Sequence, residues 1–177
     1  MIAYLQGITQ QRWSWLLLLV SALFLELCAM VFQHGLGLFP CVMCVYERIA
    51  TMGLMAAALA ALINPKRALF RWLGILIWGY SAIRGLQLAL KHVDYLLNPS
   101  PFNTCSVLPD FPSWLPLHTW APWFFAAYAD CAERQWSFLG WELPQWLVPI
   151  FALYLVIWLV IVTANLAQKG HLGTCGE

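Results

Sequence analysis

Cys41-Val42-Met43-Cys44 holds the side chains of this sequence best suited to redox chemistry. Two thiols at this spacing can give up two electrons and close a disulfide, and a thiolate can exchange with a second disulfide through a mixed intermediate. Arg48 comes four residues after Cys44. On a helix it would lie on the same face, one turn deeper. Cys41, Cys44 and Arg48 then form an i, i+3, i+7 stripe. Pro40 suits the first position of a helix, which puts both cysteines in or near a first turn. A helix N-terminus and a nearby cation favour a thiolate. Glu47 opposes it, and Arg48 together with the helix end is expected to outweigh Glu47. A quinone fits beside such a stripe, because its ring enters from lipid and its carbonyls accept hydrogen bonds from Arg48. Two-electron reduction would leave Cys41 and Cys44 as a disulfide and release quinol.

Cys105 and Cys131 stand in the one long polar stretch, with 25 residues between them. The bland expectation is a structural disulfide pinning a loop. The chemical one is an exchangeable disulfide offered to a reduced protein partner. Spacing does not choose the pairing, since four cysteines allow three connectivities. A zinc site from these four cysteines with His92 and His118 is disfavoured, because only one pair is short-spaced. No metal is expected. Cys28 falls inside a hydrophobic run and suits an apolar filler. Cys175 falls in the C-terminal tail, and neither easily reaches the other four.

The elements that must hold these groups are helices in a membrane. The chain has 177 residues, of which 62% are hydrophobic and 10% charged, against about 25% charged in an ordinary soluble domain. The mean hydropathy is +0.72. A net charge of +1 gives no indication of nucleic acid binding. Four continuous apolar runs, 13–32, 44–63, 69–90 and 146–166, each reach the roughly 20 residues that cross a bilayer. Backbone amides in lipid must pair within their own segment, so the runs predict helices. The expected fold is an all-α membrane protein, a single domain over 1–177. It is a four-helix transmembrane bundle with a long outer loop at 91–145 and a tail at 167–177.

Lysine and arginine set the orientation. Arg12, Lys66, Arg67, Arg71 and Lys169 fall on one side, and the opposite side carries only Lys91 and Arg134. Both termini are therefore expected in the cytoplasm. The Cys41–Cys44 turn and the long loop face outward, where disulfides persist. The loop holds seven of the ten prolines, and Trp114, Trp120, Trp123, Phe124 and Phe125 cluster between its two cysteines. Such a segment predicts a short helix on the membrane surface. Glu26, Arg48 and Arg84 fall at a similar depth and could form one polar cluster beneath the cysteine turn. His92, just past the third run, suits a bland interfacial anchor, a hydrogen bond to the quinone, or a proton relay.

Several strings carry a resemblance. They are Phe32-Gln33-His34, the run from Pro40 to Arg48, the run from Pro99 to Cys105, Asp130-Cys131-Ala132-Glu133-Arg134-Gln135-Trp136, and Pro144-Gln145-Trp146. Over about residues 15–166 the sequence closely resembles the bacterial disulfide bond formation protein B family. That family, with DsbA and a quinone, is itself the standing example of a periplasm kept oxidising kinetically. The resemblance implies a multi-pass protein of the bacterial inner membrane with its long loop in the periplasm. It implies that Cys105 receives attack from a DsbA-like periplasmic thiol oxidase, with Cys131 as its loop partner. Cys41 would then be linked transiently to a loop cysteine, leaving Cys44 as the thiolate facing a ubiquinone or menaquinone held by Arg48. The expected activity is a protein-disulfide:quinone oxidoreductase. The alternative is a non-catalytic four-span adaptor with two structural disulfides. A metal transporter is disfavoured, because the spans lack acidic or thiol ligand sets.

Overall fold

The computed structural model describes residues 7–100, 105–106 and 108–172, with side chains to residue 166. Cys175 and residues 101–104 of the motif ending at Cys105 lie outside the described residues. Four long helices form the body: α1 Arg12–Met30, α2 Val42–Ile63, α3 Ala68–Leu97 and α6 Leu143–Leu172. All four are long and apolar enough to cross a membrane. The protein is thus the all-α membrane protein that the hydrophobic runs predict.

Local sequence explains where the helices stop. α1 continues as a π-helical turn, Val31–Gly35, and the chain then reverses through Gly37 at φ +68°. That conformation is strained for any residue with a Cβ. At the other end of α2, Asn64 accepts from the Arg67 amide, and Pro65 cannot continue the helix. α3 runs on past the apolar run that ends at residue 90. Lys91, His92 and Asp94 lower the hydropathy there without breaking the helix, and His92, Tyr95 and Leu96 are buried. A span read from apolarity alone therefore stops short of the helix that carries it.

α2 packs against α1 and α3, and α3 packs in turn against α6. Trp15, Leu54, Ile75 and Phe151 are fully buried between them. Small residues allow the helices to approach closely, as is usual where lipid supplies no hydrophobic drive for association. A Cβ added at Gly74 would sit 2.8 Å from the Ala57 carbonyl oxygen, and one at Gly85 would collide with the Phe151 ring. Leu17, Phe24 and Leu76 point outward, as befits a face turned to acyl chains.

Two helical turns, α4 Leu117–Trp120 and α5 Pro122–Phe125, lie in the long loop. A single short helix was expected. Pro122 has no N–H to continue α4, and it holds Ala121 out of the helical region, at φ −136°, ψ 69°. Trp114, Trp120 and Trp123 are exposed. The loop ends in a hairpin of β1 Ser137–Phe138 and β2 Trp141–Glu142. Leu139 and Gly140 both have positive φ, as a two-residue type I′ turn requires.

Candidate redox site

Cys41 is the N-cap of α2, not a residue of its first turn. Its Sγ accepts the Cys44 amide at 3.2 Å. Val42 holds the first helical position, two residues beyond Pro40, so Pro40 precedes the cap instead of opening the helix. The Pro40 carbonyl takes the Tyr128 amide at 2.9 Å and the Ala129 amide at 3.3 Å. A parallel bridge joins Cys41 to Ala129. These backbone bonds lay the loop just before Cys131 along the cysteine turn.

The consequence is one sulfur-rich cluster. Cys41, Met43, Tyr95 and Cys131 are buried together, with Cys44 and Cys105 packed at its edge. Cys105 and Cys131 are bonded to each other, which selects one of the three possible connectivities. Cys41 and Cys44 are unbonded, with their Sγ atoms 2.7 Å apart. Cys131 is 1% exposed, whereas Cys105 is half-buried. Cys105 is therefore the more accessible sulfur of the loop disulfide.

His92 is no interfacial anchor. It is buried on α3, and its Nε2 lies 3.4 Å from Cys41 Sγ. On its other side Nδ1 lies 3.0 Å from Glu47 Oε1. A carboxylate at Glu47 accepts from Nδ1–H, and in that tautomer Nε2 carries the lone pair facing the Cys41 thiol. Cys41, His92 and Glu47 thus have the order of a nucleophile, its base and the group that orients the base. α2 supplies the first and third members and α3 the second.

Arg48 is buried and multiply held. One terminal nitrogen donates to Gln33 Oε1 at 3.0 Å and to the Phe124 carbonyl at 2.6 Å. The guanidinium lies 4.5 Å from the centre of the Phe124 ring. Its Nε is 3.5 Å from Glu26 Oε2, yet neither atom completes a hydrogen bond. The expected cluster of three charges is therefore a pair. Arg84 is exposed and bonds Gln87 on its own helix at 3.1 Å.

A cavity of about 310 Å³ adjoins this stripe, and its wall includes Cys41, Cys44, Glu26, Glu47, Arg48 and His92. Phe32, Trp136, Trp146 and Ile150 also line it. The lining suits a flat apolar ring with carbonyl acceptors. Apolar side chains cover most of the wall, and Arg48 Nε is a buried donor with no acceptor placed to take its hydrogen bond. Gln33 and Glu47 are the site residues that sequence spacing did not single out as an acceptor for Arg48 and an orienting group for His92. Phe32-Gln33-His34 drew notice only as a motif, and Glu47 only as a charge beside Cys44.

A helical membrane protein with a buried dithiol packed against a loop disulfide belongs to the class of membrane thiol–disulfide proteins. Residues 11–161 match the family described as disulfide bond formation protein DsbB. The disulfide bond formation protein B of Aeromonas salmonicida is 55% identical over 168 residues, covering 95% of this chain and 97% of the relative. Its namesake in Vibrio parahaemolyticus is 56% identical over 152 residues, covering 86% and 85%. The Vibrio cholerae relative is 50% identical over 170 residues, covering 96% and 98%. The chain belongs to the DsbB family.

Proposed function

We propose that this chain is a disulfide-generating oxidoreductase that takes electrons from a DsbA-like thiol oxidase and delivers them to a membrane quinone. The observation that carries the proposal is the burial of Cys41 and Cys131 in one cluster beside the Arg48 cavity. Its working orientation has both termini in the cytoplasm and the loop in the periplasm of a bacterial inner membrane. The basic residues at 66, 67 and 71 support that orientation.

The electron path is a series of exchanges. A thiolate of the partner attacks Cys105 Sγ; the Cys105–Cys131 bond breaks, and Cys131 leaves as a thiolate. Cys131 attacks Cys41 of an oxidised Cys41–Cys44 pair, forming Cys41–Cys131 and freeing Cys44. The partner's second thiolate takes over its own sulfur from Cys105, which closes the partner's disulfide. Cys105 then attacks Cys131, restoring the loop disulfide and releasing Cys41. The net result is an oxidised partner and a reduced Cys41/Cys44 pair.

A bound ubiquinone or menaquinone supplies an acceptor for two electrons and two protons. Arg48 would hold it by donating to a carbonyl oxygen, while Gln33, Glu26 and the Phe124 carbonyl keep the guanidinium in place. His92 Nε2 takes the Cys41 proton, and Glu47 stabilises the imidazolium that forms. Closure of the Cys41–Cys44 bond releases two electrons and two protons, one proton from each thiol with that of Cys41 leaving by way of His92, and both electrons and both protons would pass to a quinone held at Arg48. The apolar wall excludes water from the thiolates during this step. Quinone reduction by purified protein supplied with a reduced partner tests the proposal. Loss of turnover in Cys44→Ser is expected, and undiminished turnover would overturn it.

A further inference from the structure

Cys41 Sγ, Cys44 Sγ and His92 Nε2 converge so that all three atoms lie within 4.8 Å of one another. We infer that the reduced pair and His92 form a three-ligand site for a thiophilic divalent cation, zinc or cadmium, which blocks disulfide closure while bound. The site differs from the four-cysteine zinc knuckle that the spacing disfavours. Two of its ligands come from the N-cap and the first turn of α2 and the third from α3.

The geometry is close to what such an ion needs. Zinc binds sulfur at about 2.3 Å and nitrogen at about 2.0 Å, so neighbouring tetrahedral ligands stand roughly 3.5 Å apart. Cys41 Sγ and His92 Nε2 are already 3.4 Å apart. The two sulfurs, at 2.7 Å, need to open by about 1 Å, within the range of a side-chain rotation at half-buried Cys44. Glu47 on His92 Nδ1, at 3.0 Å, is the carboxylate–histidine arrangement that orients metal-bound imidazoles. It leaves the Nε2 lone pair for the ion. A fourth position faces the cavity that the same three residues line, where water can complete the shell.

Binding involves no redox change. Two S–H bonds break, two protons leave, and two metal–sulfur bonds form. Two thiolates balance the charge of a divalent ion, so the buried site gains no net charge from the exchange. A thiol pair held on a metal cannot form a sulfur–sulfur bond or attack Cys131. The inference requires only that the pair can be reduced, and it stands whichever electron acceptor the protein uses.

The test uses the full chain in detergent carrying Cys105→Ser and Cys131→Ser, reduced with a phosphine and titrated with cadmium. Sulfur-to-cadmium charge-transfer absorption and the cadmium NMR shift report the ligands. One ion per chain with two sulfurs and one nitrogen is expected. The same chain with Cys41–Cys44 oxidised, which keeps Cys28 and Cys175, is expected to lack this signal. Cadmium affinity should fall at least ~10-fold in His92→Ala and about 10-fold in Glu47→Gln. Equal binding by oxidised and reduced chains would overturn the inference, as would unchanged affinity in His92→Ala. If His92→Ala does not fold, the reduced parent chain decides, because a cadmium shift indicating sulfur ligands without nitrogen overturns the site.

Discussion

Arg48 donates to the backbone carbonyl of Phe124 at 2.6 Å, across 76 residues of sequence. The bond ties a guanidinium inside the bundle to α5 of the long loop. Gln33 doubles the tie, accepting from Arg48 at 3.0 Å and donating to the Trp123 carbonyl at 2.9 Å. Two consecutive loop carbonyls thus reach the same buried cation, one directly and one through an amide. Docking of the loop and orientation of Arg48 form one structural event.

Gln33→Leu should therefore act on Arg48 without touching a cysteine. Hydrogen bonds to charged groups contribute about 1.5–3 kcal/mol. Part of that loss should appear as a roughly tenfold higher quinone concentration for half-maximal rate, about 1.4 kcal/mol. The rate at saturating quinone should change little. Steady-state quinone titration checks this, and Arg48→Ala should produce a larger shift in the same direction.

Cys131→Ser should stop the relay before its first step, because Cys105 then has no disulfide for the partner to attack. With Cys131 absent, a partner whose resolving cysteine is also replaced should form no productive exchange with Cys41. An activated partner disulfide should instead remain attached to Cys105. Non-reducing electrophoresis with peptide mapping is expected to find the adduct at Cys105. An adduct at Cys41 would contradict the order of attack inferred from the half-buried Cys105 and buried Cys131.

His92→Ala should separate proton handling from quinone binding. General-base catalysis contributes about 10²–10⁴-fold, so reoxidation of a prereduced Cys41/Cys44 pair should slow by at least about 100-fold. Stopped-flow reoxidation at saturating quinone measures it. Glu47→Gln keeps an acceptor for Nδ1–H but loses the charge, and its rate should fall between those of His92→Ala and the parent protein.

Gly85→Ala tests the bundle away from the chemistry. The added methyl group would enter the space of the Phe151 ring, and overpacking costs about 1–3 kcal/mol. Thermal unfolding in detergent should show a lower midpoint. A combined Gly85→Ala, Phe151→Leu variant should recover part of the loss.

The four helices were legible because apolar runs of spanning length leave the backbone few other solutions. The redox pair was legible because cysteine chemistry depends on residue type and short spacing. Contacts between distant segments were not legible in this way. Glu26 pairs with Arg48 while Arg84 bonds its own helix, although all three occupy similar depths in the sequence. Helix rotation decides which of them face inward, and a uniformly apolar surround gives little amphipathic signal to fix that rotation. His92 looked interfacial because charge ends the apolar run at residue 91. The helix in fact continues, and it carries His92 back to Cys41. Gln33 gave no signal beyond its motif, because its role depends on a loop folding back across ninety residues.

The most direct measurement is a single turnover in which the protein, prereduced only at Cys41 and Cys44, is mixed with a membrane quinone in the absence of any partner. Quinol formation should track loss of free thiol at Cys41 and Cys44, one quinol for each disulfide closed. Cys44→Ser should give none. Quinol formation by Cys44→Ser, or thiol loss without quinol in the parent chain, would contradict electron delivery through this pair.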